Sequence, residues 1–213
     1  MNMSAPTGSP AYDAAADYAG LDARAREVLD DWFGAPGSSM FGKDRKVWFK
    51  RDASFDARLH ERFGALLEQA EKGGLDGWQQ TPLGALALVI LLDQFSRNCY
   101  RGTARAFAFD AQALRIAKHM VASGADQMLP GLFHRAFAYM PFEHDESPDS
   151  QRESLRLFKP FEAQPESASY YRSAVRHAAI IERFGRFPHR NALLGRMSSE
   201  AERAFLRKPG SSF

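Results

Sequence analysis

Ionisable residues gather in three segments where a helical pattern calls for apolar ones, and buried polar groups are the informative exceptions in such a pattern. The first is Leu92-Asp93-Gln94-Phe95-Ser96-Arg97-Asn98-Cys99-Tyr100-Arg101-Gly102. It continues directly from a run that is apolar on every side, so Asp93 leaves the centre of the protein carrying a carboxylate. An ionised group there needs a partner, and Arg97, four residues on, is the nearest cation. The second is Tyr139-Met140-Pro141-Phe142-Glu143-His144-Asp145-Glu146. Pro141 is expected to break a helix there, after which two acids flank an imidazole. A carboxylate near His144 would favour the imidazolium and hold one ring orientation; the plainer reading is an exposed acidic loop.

The third segment is His177 followed by Ile180-Ile181-Glu182-Arg183-Phe184-Gly185-Arg186-Phe187-Pro188-His189-Arg190-Asn191. Gly185 ends one helix and Pro188 opens the next, so Phe187 is pushed extended and Arg186 stands at a rigid corner. His189, Arg190 and Asn191 then fall in a first helical turn, where unpaired N–H groups and the positive dipole end favour an anion. Arginines at such a corner suit a carboxylate or a phosphate. Against this stands internal pairing, with the same arginines bound to Asp93, Glu143 or Glu182 and simply locking helices together.

The leading expectation is therefore a pocket for a small anionic molecule, with enzymatic chemistry left open. Arg186 and Arg190 would hold the anion, with Arg97, Asn98, Arg101, Arg183, His189 and Asn191 contributing to its binding. His144 or His177, tuned by Glu143 or Asp93, would carry the proton if a reaction occurs. A helical scaffold that binds a peptide or protein partner in a groove is the alternative; it requires a contiguous exposed apolar patch. A third reading makes the charged motifs purely architectural.

Missing motifs narrow the choice further. There is no His-Glu-x-x-His pair, no phosphate loop, no dinucleotide fingerprint and no Gly-x-Ser-x-Gly elbow, so neither a metal nor a cofactor is expected. His60, His119 and His134 are isolated on helical segments and read as surface or satisfied core residues. Cys99, the single cysteine, has no adjacent histidine, excludes an intramolecular disulfide and suits a reducing, cytoplasmic compartment.

The elements that must position these residues are helical throughout, because strand-length alternation bounded by hairpin turns does not occur. The pattern predicts helices over Asp22 to Phe33, Ala53 to Lys72 (capped by Asp52), from Thr81-Pro82 onward, and over Thr103 to Ser123. It continues with Leu129 to Tyr139, Pro148 to Phe161 and Ser169 to Phe184, the last with Val175, Ala178, Ile181 and Phe184 inward. A short turn begins at Pro188, and a final helix starts at Ser199, which makes a capping box with Glu202. Residues Leu83 to Leu92 are apolar on all sides and belong at the centre; at about ten residues they are half the ~20 that cross a bilayer.

About eight helices with short connections imply antiparallel neighbours, and no period near 34 residues identifies a repeat array. Residues 1–20 read as a flexible leader with no secretory pattern, and 21–208 as one all-α domain. Seventeen phenylalanines suggest rings filling gaps between helices of unequal length. The net charge of +2 gives no field for nucleic acid or membrane. The balance is uneven, with 12 Lys and Arg against 7 Asp and Glu from Ser147 onward, but the basic part is interleaved with acids.

The three segments resemble a bacterial family known as domain of unknown function 924. The resemblance rests on Leu91-Leu92-Asp93-Gln94-Phe95 with Arg97-Asn98 and Tyr100-Arg101-Gly102, and on Ala106-Phe107-Ala108-Phe109-Asp110. It extends to Tyr139-Met140-Pro141-Phe142-Glu143-His144 and to Arg183 through Asn191 with Leu194-Gly195-Arg196, spanning roughly Arg24 to Arg207. It implies stacked antiparallel helical hairpins similar to the tetratricopeptide-like superfamily, and no established activity. Ser96 stands where the family pattern has proline, so the turn after Asp93 is expected to be looser, and Met197-Ser198-Ser199 departs mildly from a Ser-Thr ending.

Overall fold

The computed structural model describes residues 12–211, and every regular element among them is helical. Where a leader was expected, α1 already spans Ala14–Gly20, capped by Asp13. Asp17 ties it to the fold by accepting from the Leu83 N–H and the Tyr12 hydroxyl. The rest of the leader, residues 1–11, lies outside the described residues. Helix α2 is Ala23–Phe33, capped by Asp22, and α3 is Ala53–Glu71, capped by the Asp52 carboxylate on the Ser54 and Phe55 N–H groups.

Thr81 caps α4 and Pro82 opens it, as the sequence indicates. This helix runs over 82–99 as three pieces, Pro82–Val89, a π-helical turn Ile90–Phe95 and Ser96–Cys99. Every residue from Leu83 to Phe95 is buried, and α1, α2, α3 and the two helices that follow pack around it. The turn after Asp93 is not loosened by Ser96. Its N–H bonds the Leu91 carbonyl in the π pattern and its hydroxyl donates to the Leu92 carbonyl at 2.5 Å, so serine supplies bonds that proline lacks.

The predicted helix over 103–123 divides into a 3-10 turn, Ala104–Phe107, and α5, Asp110–Ser123. Helix α6, Leu132–His144, starts later than predicted and is not broken at Pro141. Proline removes one N–H from the ladder, but the remaining turn stays in place because Gln151 Nε2 donates to the Phe142, Glu143 and Asp145 carbonyls at its end. Helix α7 is Pro148–Phe158, followed by a 3-10 turn Lys159–Ala163. Helix α8 is Ala168–Phe184, and a seven-residue α9, Glu200–Leu206, carries the expected Ser199–Glu202 capping box.

Consecutive helices from α5 to α8 pack pairwise, so short links fold the chain into stacked helical hairpins around α4. Aromatic rings fill the seams. Trp32 lies edge-on to Phe137 at 5.3 Å and tilted against Phe95 at 5.6 Å, while Phe63 meets Phe95 at 4.7 Å. A satellite cluster of Ile180, Ile181 and Phe187 with Phe184 and Phe205 holds the C-terminal segment. The predicted inner face of α8 holds at Ile181 and Phe184 and fails at Val175. Val175 is 43% exposed, while Tyr170, Ala174, His177 and Ile180 join the predicted Ile181 on the inward face. The stripe therefore passes through His177, one of the polar residues that the sequence places where an apolar one is called for.

Candidate functional site

Asp93 sits in the π turn of α4 with no exposed surface. A π turn admits one extra residue per turn and re-aims the side chains that follow, which is why such turns recur at functional sites. Here it points Asp93 at the end of α6. Asp93 Oδ1 lies 2.8 Å from His144 Nδ1 and 3.2 Å from Arg97 Nη1, and its Oδ2 accepts from Gln94 Nε2 at 2.6 Å. Arg97 also donates to the Asp93 carbonyl at 2.7 Å, so the expected i,i+4 pair is made twice.

A second acid–imidazole pair stands beside the first. Glu143, one residue before His144 in α6, places Oε1 2.7 Å from His177 Nδ1 on α8 and accepts from the Ser173 hydroxyl at 2.8 Å. The His144 and His177 rings are 6.2 Å apart and edge to face. All four side chains come from the segments singled out in the sequence, and each acid takes a different imidazole.

Asp110, at the start of α5, closes the cluster. It takes both Arg97 nitrogens, at 2.8 and 2.9 Å, and Arg190 Nη1 at 3.2 Å. The Arg190 guanidinium is sandwiched over Phe107 and Phe187 at 4.7 and 4.6 Å, where cation–π attraction replaces part of its lost hydration. Its Nε is buried with no hydrogen-bond partner among the described residues. Arg97, His144 and Asp110 keep 16 to 20% of their side-chain surface exposed and form the open side of the cluster.

The electrostatics follow from this geometry. Burial opposes ionisation of Asp93, yet Arg97 and His144 outweigh it and hold its carboxyl at about 2. Burial likewise opposes the charge on Glu143, and His177 reverses that and lowers it. Burial, reinforced by Arg97, depresses His144 and keeps its ring neutral, overriding the attraction of Asp93 on which the sequence argument relied. Arg190 is lowered to about 10 by burial and by Arg97. Around the neutral His144 the cluster sets three carboxylates, Asp93, Glu143 and Asp110, against the guanidiniums of Arg97 and Arg190. A neutral His144 with its Nδ1–H on Asp93 presents Nε2 as a base.

The other candidates lie elsewhere. Asn98 and Arg101 both bind Asp56 on α3. Arg183 lies over the Phe184 ring. Arg186, expected to grip an anion, instead forks onto Glu202 at 2.7 and 2.9 Å and bonds the Met197 carbonyl, fastening α9 to the end of α8. His189 packs against Phe187 at 5.8 Å and is depressed to about 4 by burial and by Arg190. Asn191 bonds Ser198 and Arg196. Pro188–Arg190 is a single 3-10 turn, so the expected helix N-terminus with its aligned dipole does not exist there. Internal pairing thus accounts for Arg101 and Arg186, through Asp56 and Glu202.

Sequence reasoning missed Asp110 and Ser173 as members of the cluster. Asp110 had a signal, since it ends the Ala106-to-Asp110 motif; Ser173 had none. Cys99 is pushed up to about 12 by burial and by Asp56, which keeps it a thiol and removes it as a nucleophile. Among the described residues no three His, Cys, Asp or Glu side chains are grouped to hold a metal ion, and no helix is long and apolar enough to cross a membrane. An open depression at Arg183, Arg186 and Glu202 and an apolar hollow of about 290 Å³ near α1 lie away from the cluster. Exposed large apolar side chains come from the 34–52 connector (Met40, Phe49), the α5–α6 link (Met128), α8 (Val175) and the loop before α9 (Leu194, Met197).

Residues 28–210 match the family described as bacterial protein of unknown function (DUF924). The chain belongs to that family. A solved structure of the protein of unknown function ATU0120 from Agrobacterium tumefaciens is similar to it. The two share 37% identity over 92% of this chain and 99% of the other, with a TM-score of 0.75. No curated protein matches the chain. The DUF924 match runs from α2 to the end of α9 and takes in every residue of the acid–imidazole cluster. The family has no assigned activity, so the function of this member is unknown and its chemistry has to be argued from the cluster itself.

Proposed function

We propose that this chain binds a small molecule carrying a carboxylate or phosphate at the Asp93, Glu143, His144 and His177 centre, and that the two imidazoles exchange a proton with it. The observation that carries this reading is the side-by-side pairing of two buried acids with two imidazoles, with Arg97 and Arg190 alongside. A structural ion pair needs one acid and one base. Two neighbouring imidazoles, each with Nδ1 beside its own carboxylate, are well placed for proton transfer. Arg190 adds an anion contact, because a buried N–H without an acceptor costs roughly 1–3 kcal/mol, which a ligand oxygen would relieve.

Charge dictates how the anion enters. Three carboxylates against two guanidiniums repel it, and protonation of one imidazole cancels the excess negative charge, so binding takes up a proton. The test is a thermal-shift and calorimetric screen of inorganic phosphate and short mono- and dicarboxylates at pH 6 and pH 8. At least one anion should stabilise the protein, bind more tightly at pH 6, and lose about tenfold in affinity in Arg190→Ala, in line with a charge-assisted contact. No stabilisation by any of them at pH 6, or unchanged affinity in a folded Arg190→Ala protein, refutes the reading.

A further inference from the structure

Glu146 closes the segment that supplies Glu143 and His144, yet the two acid–imidazole pairs do not use it. It lies in the link between α6 and α7, where Gln151 Nε2 holds the preceding Asp145 carbonyl at 2.7 Å. Glu146 Oε1 accepts the Phe187 N–H at 2.8 Å, and its two oxygens take Arg196 at 2.6 and 2.9 Å. Arg196 Nη2 in turn donates to the Phe187 carbonyl at 3.3 Å. One ion pair therefore grips the backbone on both sides of Phe187. Burial opposes the charge on Glu146, and Arg196 and the Phe187 N–H outweigh it and lower its carboxyl.

The gripped residue faces the centre. Phe187 has no exposed surface, and its ring stands edge to face with His177 at 5.4 Å and under the Arg190 guanidinium at 4.6 Å. The Arg190 N–H bonds the Phe187 carbonyl at 3.1 Å, so a single 3-10 turn joins ring and guanidinium. Phe187 packs in the satellite cluster on α8 and α9, apart from the main core, and Glu146 and Asp110 tie its turn back to the α6–α7 link and to α5. We infer that Glu146 is a positioning residue for the acid–imidazole centre. With Arg196 it brackets Phe187, which sets that ring against His177 and holds the Arg190 guanidinium beside Asp110. The consequence for Arg190 rests on the proposed anion binding; the placement of Phe187 against His177 does not.

Calorimetry of the full chain with inorganic phosphate and with succinate at pH 6, alongside proton NMR of the His177 ring, tests this. Glu146→Ala should weaken whichever anion binds by about three- to tenfold, the size of one ordinary hydrogen bond. Because Glu146 acts through Arg190, the double variant with Arg190→Ala should bind no more weakly than Arg190→Ala alone. Glu146→Gln keeps an acceptor for the Phe187 N–H and should recover part of the loss. In Glu146→Ala the His177 ring signals should move toward their positions in Phe187→Leu. If Glu146→Ala does not fold, Arg196→Met opens the other half of the bracket and should give the same changes. If neither anion binds the unmodified chain, the anion reading falls and the His177 signals alone decide. A tie that merely holds the chain together would lower the urea midpoint and leave those signals in place. Unmoved His177 signals in a folded variant, or additive losses in the double variant, overturn the inference.

Discussion

His144 and His177 stand edge to face with 6.2 Å between ring centroids, and the Nδ1 of each lies within 2.8 Å of a different buried carboxylate, Asp93 and Glu143. The pairing crosses three helices, because Asp93 is on α4, Glu143 and His144 end α6, and His177 is on α8. Successive residues in α6 point about 100° apart, so Glu143 and His144 reach different partners without competing.

Asp93→Asn should destabilise the fold by about 3 kcal/mol in urea unfolding, because it leaves His144 and Arg97 facing an amide in a dry site. Arg97 keeps Asp110, which limits the loss. A cost under about 0.5 kcal/mol would mean that the Asp93 carboxylate is not paired as described.

Stability should fall as pH drops from about 6.5 toward 4. Unfolded histidines take up protons near 6.5, whereas folded His134 and His189 wait until about 4 and His144 is also depressed. In that window the unfolded chain binds more protons, so ionisation favours unfolding. Buried His134 alone accounts for up to roughly 3 kcal/mol. Urea midpoints at pH 7.5, 6, 5 and 4 would show it; a flat profile, or one unchanged in His134→Phe, contradicts the burial of these rings.

Arg186 and Arg190 should separate cleanly. Arg186→Ala frees Glu202 and the Met197 carbonyl, so protease cleavage before α9 should accelerate while any anion affinity stays as it was. Arg190→Ala should lower anion affinity. Equal losses in both would relocate the anion site to the C-terminal corner.

Gly84→Ala should cost roughly 3 kcal/mol or more. A Cβ at this first turn of α4 would sit 2.2 Å from the Trp78 carbonyl oxygen, which is backbone and cannot rotate away. A fully stable alanine variant would show that the 3-10 turn Asp76–Gln80 packs differently against α4.

The all-α class, most helix starts and the central position of α4 were legible because they depend on local signals. Asp22, Asp52, Thr81, Ser147 and Ser199 are side-chain caps, and an apolar run from Leu83 to Leu92 has nowhere to go but inside. Periodicity failed at Val175 of α8, which was placed inward but is exposed, because the face that packs runs through Ala174 and through His177, where Glu143 meets it. It failed at Pro141 as well, because the side chain that holds the helix end together, Gln151, lies ten residues further on.

At the centre the sequence by itself specified the ionisable groups, Asp93, Arg97, Glu143, His144, His177 and Arg190, and that some would meet. Only the tertiary structure decided that each acid takes its own imidazole, that Asp110 joins two arginines, and that Arg186 is taken by Glu202. Caps and periodicity are written over a few consecutive residues. Which carboxylate neutralises which cation across 13 to 80 positions is settled by how helices stack around α4.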